Sequence, residues 1–482
     1  MKGEIERVLG ILKDSEVDYA DIRIVDRTRE VIRTENLKVE TIDYSQNKGV
    51  GIRVIWNGSL GFACAQDMGN LEAAALNALE IAKASCMLQK DKICLSEKKA
   101  KVDTYDTPIE IDPFKVSKKE KLELLFGAER AMKQAAKLSR TVATMNLQKE
   151  VKIFADTEGS YITQTLYESG AGIEAVAQSS NDTQIRSYPN SFRGNHGTAG
   201  YEYILSLELV ENAPRIAKEA EALVEAEECP SGHFDIVIDG SQLALQIHES
   251  IGHPIELDRI FGSEAAYAGG SFLDPDTYKQ NFKYGSEFVT VVADATIPRG
   301  LGTFGYDDDG VKAHNTTIID KGILKNYLTS RDTAAKIGTV SNGTNRADGW
   351  KNMPIVRMTN INLQPGDFEL DELIAGVSYG FYLNTNKSWS IDDKRVNFQF
   401  ACEMAQEIKD GKLTGKIYKN PIYTGITPVF WGSCDGVCNK KYFKMFGTPN
   451  CGKGEPGQVA HVGHGAAPAR FRNIKVGVSD VK

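Results

Sequence analysis

Residues 227–254 read EECPSGHFDIVIDGSQLALQIHESIGHP, and the organisation of the whole chain turns on them. A charged, alanine-rich helical pattern over 212–229 ends in this run, and Pro230-Ser231-Gly232 punctuates it, which places a domain boundary there. Phe234–Ile238 is an apolar run of strand length, Asp239-Gly240 is a turn signal, and a helix follows. That helix carries His248-Glu249-Ser250-Ile251-Gly252-His253, although the chain has only seven histidines in 482 residues.

Upstream of the boundary, Ile5, Val8, Leu9 and Leu12 fall at helical spacing and predict a helix over 3–14. Strand patterns follow at Tyr19–Val25, Arg29–Thr34, Val39–Tyr44 and Gly51–Trp56. Asn57-Gly58 between two apolar runs marks a hairpin. Helical patterns cover 70–84 and 117–138, with further strands around 151–180. Beyond about 300 the pattern is mostly strands joined by turns such as Asp320-Lys321-Gly322 and Asp410-Gly411. The expected fold is α+β. An α/β N-terminal domain over 1–230 precedes a predominantly β C-terminal domain over 231–482, which carries a short metal-binding helix.

Bulk properties narrow the function. A net charge of −8 and the lack of a basic tract argue against a nucleic-acid surface. No run approaches the ~20 apolar residues of a membrane span. The N-terminal helix is interrupted by charges and reads as structure rather than as a signal peptide. Eight scattered cysteines do not resemble a disulfide framework in a chain of this size, which points to a reducing compartment and a cytoplasmic protein.

Imidazoles suit Zn²⁺, and a neighbouring glutamate is the proton acceptor that a zinc-bound water needs. The spacing is unusual. Five residues at 3.6 per turn put the two imidazoles about 140° apart on an ideal helix. They face one metal only if the helix widens, as at a π-bulge, or unwinds before the second histidine. Gly252 and Pro254 supply the means. A catalytic zinc usually has a third protein ligand. Candidates are Glu256, Asp258, His314, Cys434, Cys438, Cys451, His461 and His464. Cys451 stands out in the glycine-rich stretch Asn450-Cys451-Gly452-Lys453-Gly454, where Lys453 would favour a thiolate.

Other readings compete. Gly447 to Gly454 nearly matches a phosphate-binding loop, but Gly454 replaces the hydroxyl that would hold Mg²⁺. Cys434, Cys438 and Cys451 are candidates for a structural zinc site, with buried free thiols as the simpler account. Cys451 with His461 or His464 would form a thiol–imidazole pair, hence a cysteine-dependent hydrolase. A non-catalytic scaffold stiffened by metal is the third alternative. The acidic run Tyr306-Asp307-Asp308-Asp309-Gly310 lacks the register of a calcium loop and reads as a tight turn near the site.

Four stretches together resemble the TldD/PmbA family of metalloproteases, in particular its TldD-like, motif-bearing members. They are Tyr19–Arg23 with Gly49–Val54 and Gly61–Ala63; His248-Glu249-x-x-x-His253 with Glu256; Gly302–Gly310; and Cys451–Gly454. The resemblance implies a zinc peptidase that hydrolyses unstructured or modified peptides. His248, His253 and Cys451 would be the Zn²⁺ ligands, and Glu249 the general base activating a zinc-bound water. It also implies a dimer, either a homodimer or a heterodimer with a related subunit lacking the motif.

Overall fold

The computed structural model describes residues 1–191 and 193–477. Two eight-stranded sheets dominate it, the first built before residue 200 and the second almost wholly after 230. The mixed α+β class expected from the sequence is the observed one.

In the first sheet the strand order runs Ser59–Ala65, Lys38–Trp56, Tyr19–Glu35, Arg140–Asp156, Tyr161–Gln178, Val102–Asp106. The hairpin at Asn57-Gly58 is present, with both residues at positive φ (48° and 75°), as its two-residue turn requires. Lys2–Asp14 is the first helix and buries Ile5, Val8, Leu9 and Leu12. Leu71–Cys86 and Lys118–Ala135 match the predicted helical patterns, and a Ser117–Glu120 capping box starts the latter.

The predicted separate strands at 19–25 and 29–34 form one strand of 17 residues, and those at 39–44 and 51–56 form one of 19. Asp26-Arg27-Thr28 and the polar run at 45–48 do not break the ladder, because backbone pairing is indifferent to side-chain polarity. Arg27 instead bonds Glu150 on the neighbouring strand and Asp348 from the distant half of the chain.

Gly232–Ile238 lies inside the second sheet, between Tyr379–Ile391 and Ala469–Val476. It delivers the chain into the helix Gly240–Ile247, capped by the Asp239 side chain accepting from Ser241 N–H. Every residue of this helix is buried, the mark of an element inside a core. A separate two-stranded ribbon, Lys444–Lys453 paired with Gln458–Ala466, packs beside it.

Gly302–Gly310 ties the two halves together. Gly305 and Tyr306 N–H both donate to Gln164 Oε1 on the first sheet, at 3.0 and 2.9 Å. Asp308 accepts from Lys152 Nζ at 2.9 Å. Asp309 accepts from Arg53 Nη2 at 2.6 Å and from Arg331 N–H at 3.0 Å. The acidic run is therefore a buried ionic joint rather than a cation loop. Burial alone would raise both carboxyls, but Lys152 and Arg23 hold Asp308, and Arg53 holds Asp309, below the usual range. Removing one partner of a buried pair costs about 3–5 kcal/mol, whereas an exposed pair is worth under about 1 kcal/mol. We therefore predict that Asp309→Ala lowers the urea midpoint far more than Glu72→Ala in the exposed Arg7–Glu72 pair; equal shifts would contradict the joint. Because the folded-state values are depressed, this stabilisation is present above about pH 4 and is lost as pH falls through them. The Asp309→Ala variant should accordingly show a shallower loss of stability with acid.

Candidate metal centre

The regular helix ends at Ile247, and His248–Gly252 forms a π-helical turn, followed by a 3₁₀ turn at His253–Ile255. The widening that the five-residue spacing demands is thus built in. His253 N–H bonds the carbonyl of His248 across the turn, so the residues bearing the two imidazoles are themselves joined by the i→i+5 hydrogen bond. Their ring centroids lie 4.8 Å apart. Gly252 packs directly against the Met358 side chain, which would have to shift to admit a Cβ there.

Cys451 arrives from the ribbon, at an irregularity between Thr448 and Cys451 in the pairing register. It lies in a strand and not in the glycine-rich turn expected, because pairing of the ribbon continues to Lys453↔Gln458. Its Sγ is 3.8 Å from His253 Nε2. One ligand atom each from His248, His253 and Cys451 lies within 4.8 Å of the others, and all three side chains are buried.

Hydrogen bonds aim the imidazoles. The Ile361 carbonyl can only accept, so it takes His464 Nδ1–H at 3.3 Å and leaves His464 Nε2 as an acceptor. His248 Nδ1 then donates to that nitrogen at 2.8 Å, which frees its own Nε2 lone pair. His253 Nδ1 donates to Glu256 Oε2 at 2.9 Å, likewise freeing Nε2, the atom nearest Cys451. Burial pushes both imidazoles below the ordinary histidine range, and the Arg395 charge adds to it. Neutral rings are what metal ligation needs. Burial would raise the Cys451 thiol, but Arg357 and His253 bring it below its ordinary value. Lys453 does not supply that charge, as the sequence reading had it: its ammonium bonds Asp258 at 2.7 Å and the Val356 carbonyl at 2.6 Å.

Glu249 is buried, and its carboxylate is ion-paired to Arg395 Nη1. The other ligand candidates lie elsewhere or in supporting roles. Glu256 and Asp258 hold His253 and Lys453. His314 is exposed and bonded to the Lys312 carbonyl. Cys434 and Cys438 are buried thiols pushed up to about 12 by burial, so the simpler account of them holds. His461 bonds Glu168 at the lining of a cavity of about 490 Å³ between the first sheet and the ribbon. Cys451 is therefore paired with neither His461 nor His464. The near-match to a phosphate loop is a strand, with no helix after it.

Sequence reasoning missed Arg395 and Arg357 altogether. Arg357 is fully buried and bonds the Cys451 and Gln458 carbonyls, fixing the ribbon behind the thiol. Neither arginine has a local motif; only the folded arrangement brings each to the site, from 146 and 94 residues away in sequence.

At the centre a His-Glu-containing helix meets a cysteine-bearing ribbon. Residues 20–82, 111–226 and 231–477 match, respectively, domain 1, the central domain and the C-terminal domain of PmbA/TldA metallopeptidases. A metalloprotease of Methanothermobacter thermautotrophicus is 32% identical over 470 residues, covering 97% of either chain. A zinc metalloprotease TldD homolog of Saccharolobus solfataricus is 26% identical over 250 residues, 51% of this chain and 52% of its own. Among solved structures, a candidate modulator of a DNA gyrase from Thermotoga maritima superimposes with a TM-score of 0.78 at 18% identity, over 99% of this chain and 100% of its own. TldE from Thermococcus kodakarensis gives 0.73 at 15%, over 98% and 100%; both share the fold. The chain belongs to the TldD/PmbA family of metalloproteases.

Outer partners of metal-ligating histidines typically contribute about 10–100-fold in metal affinity. His464→Phe is predicted to weaken metal binding by about that factor in a competitive chelator titration, whereas His314→Ala leaves it unchanged. Equal affinity in His464→Phe would contradict the hydrogen-bond chain.

Proposed function

We propose that this protein is a zinc-dependent peptidase acting on unstructured or modified peptides. The observation that carries this reading is the convergence of two buried imidazoles and a buried thiol, with ligand atoms within 4.8 Å of one another, beside a buried glutamate. Two nitrogens and a sulfur are a donor set that catalytic zinc sites use, and three protein ligands leave a position open. His248, His253 and Cys451 would hold the ion. When bound, Zn²⁺ supplies Lewis acidity and lowers the pKa of a coordinated water to about 7.

The chain's own groups do the rest. His464 and Glu256 fix the tautomer and direction of the two imidazoles. Arg357 anchors the backbone of Cys451. Glu249, ion-paired to Arg395, takes a proton from the attacking water and gives it to the leaving amine. The centre is only 4–5% exposed at His248, Glu249, His253 and Cys451, which favours a flexible peptide segment over a folded protein surface as substrate. All eight cysteines are free thiols, which fits a reducing, cytoplasmic setting. The proposal includes assembly as a dimer, with a second copy or with a related subunit lacking the histidine motif.

General acid–base groups contribute about 10²–10⁴-fold. Glu249→Gln is predicted to reduce peptide turnover by that order while retaining about one zinc per chain by elemental analysis. Cys451→Ser should reduce zinc content and turnover together. Loss of turnover in Cys451→Ser with zinc fully retained would instead support a thiol nucleophile.

A further inference from the structure

Arg395 stands at the tip of the hairpin joining the strands Tyr379–Ile391 and Asn397–Lys409. The turn is built to present it. Arg395 takes φ 65°, in the left-handed region that a branched or long side chain rarely adopts. Its N–H donates to the Asp392 carbonyl at 2.9 Å, and its carbonyl accepts from Thr427 Oγ1 at 2.7 Å. The Asp392 carboxylate accepts from Val396 N–H, Asn397 N–H and Asn397 Nδ2, locking the bend.

The Arg395 side chain is only 14% exposed, and its guanidinium ion-pairs through Nη1 with Glu249. Its Nε–H is buried and has no acceptor. A buried donor left open costs free energy, and a cation placed beside neutral metal-ligating imidazoles adds to that cost. Both features are explained if an anion forms there during turnover. Peptide hydrolysis forms one: water oxygen bonds the carbonyl carbon, a proton passes to Glu249, and the carbonyl π pair moves onto oxygen. The C–N bond then breaks, the π bond re-forms, and Glu249 returns the proton to the leaving nitrogen. Glu249 and the developing oxyanion lie within one reacting group of each other, so a guanidinium that already holds Glu249 stands close to the place where that charge appears, with donors beyond Nη1 still to be used.

We propose that Arg395 is a catalytic residue that donates a hydrogen bond to the substrate carbonyl oxygen as it becomes an oxyanion. This assignment rests on the peptidase reading above. It gives Arg395 a job distinct from that of Glu249: the glutamate moves the proton, and the arginine stabilises the charge left on oxygen.

The test compares zinc-loaded wild type, Arg395→Ala and Arg395→Lys for binding two ligands by calorimetry. One is a phosphinic peptide, whose tetrahedral anion resembles the intermediate. The other is a plain peptide of the same side chains. Zinc content and circular dichroism verify each variant. Removing an oxyanion donor costs about 10²–10³-fold. The expected result is a loss of that order in phosphinate affinity and in kcat for Arg395→Ala, with plain-peptide affinity within about threefold. Lysine, which lacks the fork, should restore only part. The comparison is repeated in the Glu249→Gln background, where the phosphinate loss must persist if Arg395 touches the ligand directly. Wild type binding the phosphinate with Arg395→Ala binding it equally well would overturn the Arg395 assignment and leave the peptidase reading standing. So would a loss that vanishes in the Glu249→Gln background. Failure of zinc-loaded wild type to bind the phosphinate at all would overturn the peptidase reading and this assignment with it.

Discussion

The hydrogen bond from His253 N–H to the His248 carbonyl is the constraint on which the centre depends. Without that widened turn, the two imidazoles would diverge around an α-helix and no third ligand could meet both. A π turn disturbs the regular ladder and needs support from outside, and the surroundings provide it. Tyr284 OH donates to the Ser250 carbonyl. Ser250 Oγ donates to the Gln246 carbonyl at 2.6 Å and accepts from Gln246 Nε2 and Trp431 Nε1 at 2.9 Å each. Tyr423 OH joins Gln242 to Gln246. The bulge is thus held by a connected polar network in an otherwise apolar core, in which Gln242 Oε1 alone of the amide atoms named lacks a partner.

The rest of the fold sets what meets that turn. Gly232–Ile238 lies inside the second sheet and leads into a helix that is buried on all sides. The ribbon carrying Cys451 is anchored from behind by Arg357, and Lys453 pins its end through Asp258, only two residues from Glu256. Glu256 in turn holds His253. One continuous set of buried charges therefore runs from the ribbon to the second histidine, while His464, on the partner strand of the same ribbon, holds the first. The ribbon delivers both Cys451 and the group that aims His248.

Much of this was legible in the sequence for a physical reason: local geometry leaves local signals. The H-E-x-x-x-H spacing calls for a widened or unwound helix if both rings face one point, Gly252 and Pro254 permit it, and Asn57-Gly58 signals a hairpin. The helices at 2–14, 71–86 and 118–135 follow from apolar periodicity and capping. Contacts between distant positions left none. His464 looked like a ligand candidate because nothing in its neighbourhood states that its partner is an imidazole 216 residues away. Lys453 looked like the thiol's cation because it is near in sequence, yet the carboxylate it reaches is 195 residues away. Arg395 sits in an ordinary polar turn, Asp392-Asp393-Lys394-Arg395, whose reading is surface until the fold brings it onto Glu249.

The claim at the centre of this account is that one zinc ion is held by two imidazole nitrogens and one thiolate. X-ray absorption at the zinc edge of the reconstituted protein tests it most directly. The account predicts one sulfur scatterer at about 2.3 Å together with nitrogen scatterers at about 2.0–2.1 Å, with imidazole outer-shell features from two rings. A spectrum with only oxygen and nitrogen neighbours, or with two or more sulfurs, would contradict it.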